Sequence, residues 1–339
     1  MNHLYQNPME KVIAVVVSYN RHALLVECIE AIRKQSRQPD AILVVNNGSA
    51  DYSSVWLDKQ EDIIHLYQEN SGSAGGFKAG LQWAYEHGFT WIWCLDDDGY
   101  PKENALEALL ATNETQPVLI NCAVINKEDK KSFVWKTANY KTLNEVKENI
   151  LEGVAHPFNG SLIHRLVIER VGLPDSSLFH RGEEAEYYYR ITRRHQIRAL
   201  TVTSAVYYHP STKYSYKKEW NLNESWSTFY HVRNQLAILK TKYDNTALAL
   251  CGYLIFMTKF VLSVLVYQRS NVLGKLSFTA WAFMDALLKD HSATPKLIQY
   301  KIKHQYTASL TKLLLLPIKN MLHSILFPSI TDANTAVTM

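Results

Sequence analysis

The chain has 339 residues, of which 47% are hydrophobic and 20% are charged. This length and composition exclude a disordered protein and allow one large domain, or one domain with a substantial appendage. The formal net charge of +4 is too small to indicate a nucleic-acid partner unless the basic residues cluster, so we expect no nucleic-acid binding.

The N-terminus and the cysteines indicate the compartment. The opening stretch MNHLYQNPMEK lacks the charged start and apolar run of a secretory signal. The four cysteines form no CxxC pair, which favours buried free thiols over disulfides or a zinc site. They are Cys28, Cys94, Cys122 and Cys251. We therefore expect a cytoplasmic protein.

Short apolar runs alternate with helical segments through the N-terminal part of the chain. The runs are 12–17, 41–45, 63–67 and 91–95, and the predicted helices between them are 22–35, 52–59 and 77–87. Strands that alternate with helices predict an α/β fold with a parallel sheet flanked by helices. Continuous apolar runs are typical of strands that are buried on both faces.

A polar segment follows each of the four predicted strands. These segments are SYNR (18–21), NNGSAD (46–51), ENSGSAGGF (69–77) and DDDGYP (96–101). In sheets of this kind, ligands bind beyond the carboxyl ends of the strands. We therefore expect one cleft to receive all four segments.

The segment after the fourth strand places three carboxylates side by side, at Asp96, Asp97 and Asp98. Each carboxylate raises the cost of ionising its neighbours, so the cluster favours a bound cation. Successive side chains alternate in direction, so Asp96 and Asp98 can converge on one ion while Asp97 points elsewhere. Their hard oxygen ligands select Mg²⁺ or Mn²⁺. A solvated turn and a calcium-binding adhesion domain are alternatives, but the spacing differs from the calcium motif D-x-[DN]-x-[DN]-G.

The stretch NSGSAGGFKAG (70–80) is rich in glycine and opens a helix. Its backbone can approach a ligand closely, and its N–H groups can face an anion. It matches neither GxGxxG nor GxxxxGK[ST], which disfavours the dinucleotide-binding and P-loop classes. The alternative interpretation is a tight turn followed by a helix start.

The alternation of strands and helices loosens after residue 102. A helix at 102–111, strands at 117–124 and near 131–136, and an apolar stretch at 154–163 predict a mixed extension of the sheet. A further strand at 199–208 ends at His209. This residue is either a metal ligand or simply a histidine at a strand end.

The segment FHRGEEAEYYYRITRR (179–194) predicts a loop that enters a helix. The first turn carries Glu183, Glu184 and Glu186, and the far end carries Arg190, Arg193 and Arg194. Acids first and bases last complement the helix dipole, so capping alone explains part of this pattern. Glu183 and Glu184 are also candidates for a general base.

The C-terminal region is more apolar. Residues 246–267 contain one charge, Lys259, and are long enough to span a bilayer, although a lysine is costly at mid-depth. We favour a helix that lies in the membrane interface or packs on the domain, and an ordinary core helix is the alternative. Residues 309–330 mix leucines with lysines, which predicts a basic amphipathic anchor.

Taken together, these features resemble the family 2 glycosyltransferases of the GT-A fold. The resemblance covers roughly residues 10–235 and rests on SYNR, NNGSAD, the aspartate cluster, the acidic helix start and the later histidine. Within that family, NSGSAGGFKAG, WCLDDDG and EEAEYYYR look most like the bacterial galactofuranosyltransferases, whose donor is UDP-galactofuranose. The resemblance implies a GT-A catalytic domain at 1–235, built on a Rossmann-like mixed sheet flanked by helices. It also implies a helical, membrane-associating region at 236–339.

The resemblance also implies a role for each matching residue. Asp96, Asp98 and His209 would hold Mn²⁺ or Mg²⁺ on the donor diphosphate, and Glu184 would be the catalytic base with Glu183 as its neighbour. Donor-binding residues would be Ser18, Tyr19, Asn20, Asn46, Asn47 and Asp51 at uridine, Gly75, Gly76 and Phe77 at the sugar, and Asp97 at the sugar or ribose. The sequence departs from the family pattern at two places. Asn46 stands where many relatives have aspartate, and Glu183 and Glu184 stand where aspartates are common.

The activity implied is metal-dependent transfer of galactofuranose, with inversion, from a UDP-sugar donor. The acceptor would be a polyprenyl-diphosphate-linked glycan in bacterial O-antigen, capsule or other surface polysaccharide synthesis. The enzyme would lie on the inner face of the bacterial plasma membrane. A rhamnosyl- or other hexosyltransferase of the same family, and a non-catalytic nucleotide-sugar-binding module, are the alternatives.

Overall fold

A computed structural model describes residues 10–211 and 216–305 of the chain. The strands are β1 (Val12–Ser18), β2 (Ala41–Asn46), β3 (Ile63–Tyr67), β4 (Trp91–Asp96), β5 (Tyr100–Pro101), β6 (Val118–Asn126), β7 (Ser132–Thr137), β8 (Tyr140–Thr142), β9 (Ile150–Glu152), β10 (Ser161–His164) and β11 (Arg198–His209). The helices are α1 (His22–Arg33), α2 (Ser53–Leu57), α3 (Gly72–Glu86), α4 (Ala105–Leu110), α5 (Arg165–Val171), α6 (Glu183–Tyr189), α7 (Trp226–Tyr243), α8 (Thr246–Tyr267), α9 (Val272–Leu288) and α10 (Pro295–Gln305). These elements confirm the predicted α/β class with a helical C-terminal part.

The strands form a mixed sheet in the order β3-β2-β1-β4-β10-β6-β11-β5. β1 pairs in parallel with both β2 and β4, and β2 pairs in parallel with β3. β10 is antiparallel to β4 and β6, whereas β11 is parallel to β6, so the sheet becomes mixed beyond β4. Because β1, β2 and β4 are parallel, their carboxyl ends meet at one edge, where the sequence predicts a cleft.

Helices cover both faces of the sheet, and β1 shows why its sequence is continuously apolar. Val12, Ala14 and Val16 belong to one buried cluster with Leu25 and Leu106, from α1 and α4. The alternate residues Ile13, Val15 and Val17 belong to a second cluster with Phe77, Leu81 and Val167, from α3 and α5. Successive side chains of a strand point to opposite faces, so a strand between two helical layers must be apolar at every position.

The glycine-rich stretch is helical, since α3 begins at Gly72 and not at the predicted residue 77. A Cβ atom on Gly76 would lie 2.4 Å from Cγ1 of Val17, and one on Gly80 would lie 2.4 Å from Cγ1 of Val15. The missing side chains therefore let α3 pack closely on β1. This packing requirement explains why a helix tolerates glycines that lower its intrinsic propensity.

Two predicted segments are shorter than expected, for identifiable reasons. The helix predicted at 102–111 is limited to Ala105–Leu110, because Pro101 pairs with Tyr207 of β11 and the Lys102 N–H donates to Val206 O at 2.9 Å. Of the apolar stretch at 154–163, Ser161–His164 forms a strand. The preceding residues form a loop in which Phe158 has a φ of 74°.

The chain divides into two compact units whose limits fall within the C-terminal helices. The described part of the first lies within Met1–Tyr214 and Asn234–Gly252, and that of the second within Ser215–Arg233 and Tyr253–Met339. Helices α7 and α8 therefore supply residues to both units. The boundary predicted at residue 235 falls inside α7.

Helix α8 has the bounds predicted from the sequence. Within residues 10–211 and 216–305, it is the one helix that is long and apolar enough to cross a membrane, and most of its apolar window is exposed. A buried stripe runs along one side, at Ala249, Tyr253, Met257, Phe260 and Val264. The anchor predicted at 309–330 lies outside the described residues.

Candidate active site

The aspartate cluster lies in the turn between β4 and β5, and the sheet brings His209 to it. β5 pairs with the end of β11 through Pro101–Tyr207 and Tyr100–Tyr208, so the next residue of β11, His209, reaches the turn. Gly99 has no side chain, and a Cβ atom there would lie 2.4 Å from the ring of Tyr207. Glycine in this turn therefore lets the Tyr207 hydroxyl donate to Asp96 O at 2.7 Å.

Asp96, Asp98 and His209 meet as the sequence predicts. One ligand atom from each lies within 4.8 Å of the others, and His209 Nε2 is 3.1 Å from Asp98 Oδ1. Burial, and then the charges of Asp98 and Asp97, raise the pKa of Asp96 well above its usual value. Carboxylate oxygens with one imidazole nitrogen suit Mg²⁺ or Mn²⁺, and such a cation would relieve this repulsion. The cluster therefore fits a divalent metal ion.

Asp97 lies outside the cluster of Asp96, Asp98 and His209, and it shares one of its two partners with Asp98. Its Oδ2 accepts from the Ser18 hydroxyl at 2.8 Å, and its Oδ1 accepts from Arg21 Nη1 at 3.0 Å. The same Arg21 nitrogen lies 2.9 Å from Asp98 Oδ2. Burial raises the pKa of Asp97 to about 6, against the opposing charge of Arg21. Asp97 therefore links the end of β1 to the aspartate turn.

The residues predicted at uridine form a hydrogen-bonded loop network at the ends of β1 and β2. The Asn46 side chain donates to Ser54 Oγ at 2.8 Å and accepts from the Ser49 N–H at 3.0 Å. Asp51 accepts from the His22 N–H at 2.9 Å, at the start of α1. The structure thus brings Asn46 and Asp51 to the predicted edge, and both are held by protein partners.

The neighbouring segment carries the other predicted uridine contacts. Asn20 has a φ of 54°, and its side chain accepts from the Ala50 N–H at 2.7 Å. Asn47 is buried, and it donates to Gly72 O at 3.0 Å. Tyr19 is 44% exposed and is thus available to a ligand.

The three residues predicted at the donor sugar have packing roles. Gly75 and Gly76 are buried within α3, and a Cβ atom on Gly75 would lie 2.1 Å from Ser71 Oγ. Phe77 is 1% exposed and stacks on Phe158 at a centroid distance of 4.2 Å. Packing accounts for Gly76 and Phe77 without a ligand, and their contact with a sugar stays a prediction.

Glu183 and Glu184 begin α6, as predicted, and differ in their surroundings. Glu184 accepts from Asn159 Nδ2 at 2.9 Å. Burial, followed by the charge of Glu183, raises the pKa of Glu184 to about 8, and the charge of Asp98 contributes in the same direction. Glu183 is 4% exposed and accepts a short hydrogen bond from the Ser73 hydroxyl. The pKa of Glu184 therefore depends on the charge of Asp98, whereas Glu183 is hydrogen-bonded to Ser73 of α3.

Comparison with known proteins agrees with this geometry. The family model described as glycosyl transferase family 2 matches residues 13–170. The galactofuranosyltransferase GlfT1 of Mycobacterium tuberculosis is 32% identical over 215 residues, which cover 59% of this chain and 70% of the relative. GlfT1 of Mycolicibacterium smegmatis is 33% identical over 217 residues, which cover 59% and 71%. The chain belongs to glycosyltransferase family 2.

A solved structure shares the fold of this family 2 glycosyltransferase. The crystal structure of GalNAc-T7 with UDP, GalNAc and Mn²⁺ superposes with a TM-score of 0.54 at 13% identity. The match covers 94% of this chain and 58% of that structure. The sheet and its flanking helices therefore have a GT-A-like arrangement.

Three bulky residues near the site of this glycosyltransferase have left-handed backbone. Phe158 and Phe179 have φ values of 74° and 63°, and Arg181 has a φ of 58°. Left-handed backbone is unfavourable for bulky side chains and persists where the surrounding structure fixes it. Phe158 precedes Asn159, and Phe179 and Arg181 precede α6, so both strained segments position Glu184.

Three residues of the site were not selected from the sequence. Arg21 lies in the quoted SYNR segment, and an arginine beside an aspartate cluster is a signal that could have identified it. Asn159 and Ser73 carry no local signal, because they reach Glu184 and Glu183 only through the tertiary fold. These contacts span 25 and 110 positions along the chain.

Proposed function

We propose that this protein transfers galactofuranose from UDP-galactofuranose to a lipid-linked glycan acceptor, with a divalent metal ion and with inversion at the anomeric carbon. The observation that carries the proposal is the meeting of two groups at one edge of the sheet. Asp96, Asp98 and His209 form a metal-type cluster, and the charge of Asp98 acts on Glu184. A diphosphate site next to a buried carboxyl is what a direct displacement needs.

The residues of this chain act on the acceptor and on the leaving group. Glu184, in its ionised form, removes the proton of an acceptor hydroxyl as that oxygen attacks the anomeric carbon. The bond between the anomeric carbon and the UDP oxygen breaks on the opposite face, and UDP departs with the bonding electrons. A metal ion held by Asp96, Asp98 and His209 would supply Lewis-acid stabilisation of the diphosphate. Arg21, with 48% of its side chain exposed beside the cluster, adds a second positive charge.

Asn159 keeps Glu184 in place for this step. Its amide nitrogen donates to Glu184 Oε1 and to Pro157 O, at 2.9 and 3.2 Å. Asn159 is fully buried, so the donor side of this partly buried hydrogen bond is fixed by the protein. A donor to the carboxylate favours the ionised form, which is the form that acts as a base.

The donor sugar is proposed from similarity to the two mycobacterial proteins named galactofuranosyltransferase. Another nucleotide sugar, such as a rhamnosyl or glucosyl donor, is the nearest alternative within the same family. Purified full-length protein with Mn²⁺ and single nucleotide sugars, with and without a lipid-linked acceptor, tests this by UDP release. Acceptor-dependent release from UDP-galactofuranose supports the proposal, and transfer from a different nucleotide sugar alone contradicts it.

A non-catalytic binding module is the second candidate, because the cluster alone could hold a nucleotide sugar. Glu184→Gln separates the two functions, since it keeps the size of the side chain and removes the base. We expect this variant to bind UDP with wild-type affinity and to lose transfer. A wild-type protein that binds UDP and turns over no nucleotide sugar would support the binding module.

Membrane association forms part of the proposal and rests on α8. One side of this helix is buried along most of its length, whereas Leu254, Leu262 and Leu265 on the other side are 53%, 52% and 53% exposed. Lys259 is exposed beside them. A helix with one side packed on protein and the other apolar and exposed can lie in the membrane interface. There the lysine side chain can extend toward the lipid headgroups. We therefore propose that the enzyme lies on the cytoplasmic face of the plasma membrane through this surface.

A further inference from the structure

A cavity of about 300 Å³ opens next to Glu184 and has no role in the chemistry described above. Its walls come from residues 153–157, which precede Asn159, and from one side of α6. On α6 these are Glu184, Ala185, Tyr188 and Tyr189. The volume lies at the lower end of the roughly 300–1,000 Å³ typical of small-molecule sites, which suits one compact ligand.

The lining indicates a neutral ligand with hydroxyl groups. Of the described residues that line the cavity, none is a lysine or an arginine, so a phosphate or diphosphate would find no counter-charge there. Tyr188 and Tyr189 supply aromatic surface, with their rings 5.4 Å apart and edge to face. Aromatic rings that face a cavity with few polar groups are suited to the apolar face of a sugar ring.

His156 provides a polar group that lacks a partner. Its Nε2 atom is fully buried without a hydrogen bond, although the residue lines the cavity. Burial lowers the pKa of His156 to about 4, so the ring is neutral and offers one donor and one acceptor nitrogen. Because Nε2 has no accessible surface, a ligand in the cavity would contact the partly exposed remainder of this neutral residue.

One aromatic ring lies between the cavity and the aspartate–histidine cluster. The Trp135 ring lies 5.0 Å from His156 of the cavity and 5.1 Å from His209 of the cluster. Glu184 lines the cavity, and the charge of Asp98 raises its pKa. A ligand in the cavity would therefore lie beside the base, with the donor diphosphate beyond it.

Tyr188 also fixes the opposite wall of the cavity. Its hydroxyl donates to Gly153 O at 2.5 Å, which joins α6 to the loop that carries His156. The His156 N–H donates to the Asn121 side chain at 3.0 Å, and Asn121 in turn donates to Asn159 O at 3.1 Å. The cavity wall and the Asn159 support of Glu184 therefore belong to one hydrogen-bonded loop.

From this geometry we infer that the cavity binds the sugar ring of the acceptor glycan that presents its hydroxyl to Glu184, with Tyr188 and Tyr189 against the ring face. This inference rests on the proposed glycosyl transfer and names the part of the acceptor that the site recognises. The remaining acceptor, including any lipid carrier, would extend out of the open side of the cavity.

The test measures sugar binding without turnover. Full-length protein with UDP and Mn²⁺ is titrated with methyl α-D-galactopyranoside, methyl α-D-glucopyranoside and methyl β-D-galactofuranoside, and binding is followed by saturation-transfer NMR. We expect at least one probe to bind, and Tyr189→Ala to weaken that binding about tenfold through loss of aromatic contact. Ala185→Leu places a larger side chain in the cavity from a half-buried position of α6 and should weaken binding similarly. Tyr243→Ala, at an exposed tyrosine outside the cavity, is the matched control and should bind as wild type.

The outcomes are distinct from those for the proposed function. Absence of binding for every probe, or equal binding by wild type, Tyr189→Ala and Ala185→Leu, would overturn the inference. The UDP affinity of each variant shows whether its fold is retained. If Tyr189→Ala or Ala185→Leu is misfolded, the remaining cavity variant provides the test. The proposed function fails by a different result, namely no UDP release from any nucleotide sugar by the wild-type protein.

Discussion

At the residue scale, the three consecutive aspartates have different partners. Asp96 and Asp98 form a cluster with His209, whereas Asp97 accepts from Ser18 and shares Arg21 with Asp98. We predict that Asp96→Asn and Asp98→Asn each weaken Mn²⁺ binding by about tenfold or more, since each removes a charged ligand from the ion. Isothermal titration with Mn²⁺ alone measures this effect. Asp97→Asn is the matched control, and an equal loss of Mn²⁺ affinity in that variant would contradict the assignment.

The ionisation of Glu184 predicts the pH dependence of the reaction. Burial and the charge of Glu183 raise its pKa to about 8 from 4.5, and a base must be ionised to act. Transfer should therefore rise with pH through the region below 8, and Glu184→Gln should lower kcat by roughly 10²–10⁴-fold. Through this group, folding stability should fall as pH rises from 4.5 toward 8, because the folded state holds the proton that the unfolded state has lost.

Asn159 provides a second variant for the same pH profile. Its hydrogen bond lowers the pKa of Glu184, so Asn159→Ala should move the ascending limb of kcat to higher pH. A purely structural role for Asn159 would lower the melting temperature and leave the position of that limb unchanged. Measurement of kcat from pH 6 to 9 for both proteins distinguishes these results.

The strand pattern predicts that the aspartates and His209 lie at the ends of strands, and the structure brings them together. The residues alone leave His209 as either a metal ligand or a histidine at a strand end, and its place beside Asp96 and Asp98 comes from the family resemblance. The sequence does not predict Asn159 or the cavity beside Glu184. These depend on a loop with left-handed backbone at Phe158. Asn159 and Gly160 mark a turn there, but a phenylalanine gives no signal for that conformation.

At the scale of single elements, α3 shows how packing changes the meaning of a motif. The glycines of NSGSAGGFKAG predict a backbone that approaches a ligand where a helix opens, yet Gly76 and Gly80 lie inside α3 against Val17 and Val15. A glycine indicates that another group approaches the backbone closely. The sequence alone does not show whether that group is a ligand or a neighbouring strand. The parallel strands were easier to predict, because continuous apolar runs have one common explanation.

Close packing at Gly76 allows us to predict how a substitution there changes the free energy of unfolding. Gly76→Ala places a methyl group 2.4 Å from the Val17 side chain, which is stiff and buried between two helical layers. We expect a loss of about 1–3 kcal/mol in the free energy of unfolding, measured by chemical denaturation. Gly252→Ala makes the same change in α8, where the nearest side chain lies at 3.5 Å, and should be neutral or stabilising. Equal destabilisation by both variants would show that helix α3 does not depend on this contact.

The exposed side of α8 predicts binding to lipid surfaces. Replacing Leu254 and Leu262 with serine removes apolar area that would be buried in the interface, at roughly 1.5–3 kcal/mol for each fully buried leucine. We therefore expect the double variant to lose at least about tenfold in partition onto phosphatidylglycerol vesicles, measured by co-sedimentation. Val55→Ser, at an exposed valine of α2, is the control and should partition as wild type. Unchanged partition of the double variant would exclude α8 as the anchoring surface.

At the scale of the whole molecule, the position of the first unit's boundary can be tested by truncation. The first unit includes residues 234–252, beyond the predicted catalytic domain at 1–235. Within it, Asn234 Nδ2 donates to the carbonyl oxygens of Leu178, His180 and Arg181 at 2.8, 3.0 and 2.9 Å. The Thr241 hydroxyl donates to Glu186 Oε1 at 3.0 Å. These bonds hold α6 and the loop before it, which position Glu184.

We therefore predict that a chain ending at residue 252 unfolds cooperatively and binds UDP, whereas a chain ending at 233 does not. The shorter chain loses the Asn234 amide, and its three carbonyl partners are buried groups that favour a donor. Circular dichroism during thermal unfolding and UDP titration measure both properties. Asn234→Leu in the full chain is the matched point variant and should lower the melting temperature without removing any helix. A chain of residues 1–233 that melts at the same temperature as 1–252 would place the boundary before α7 ends.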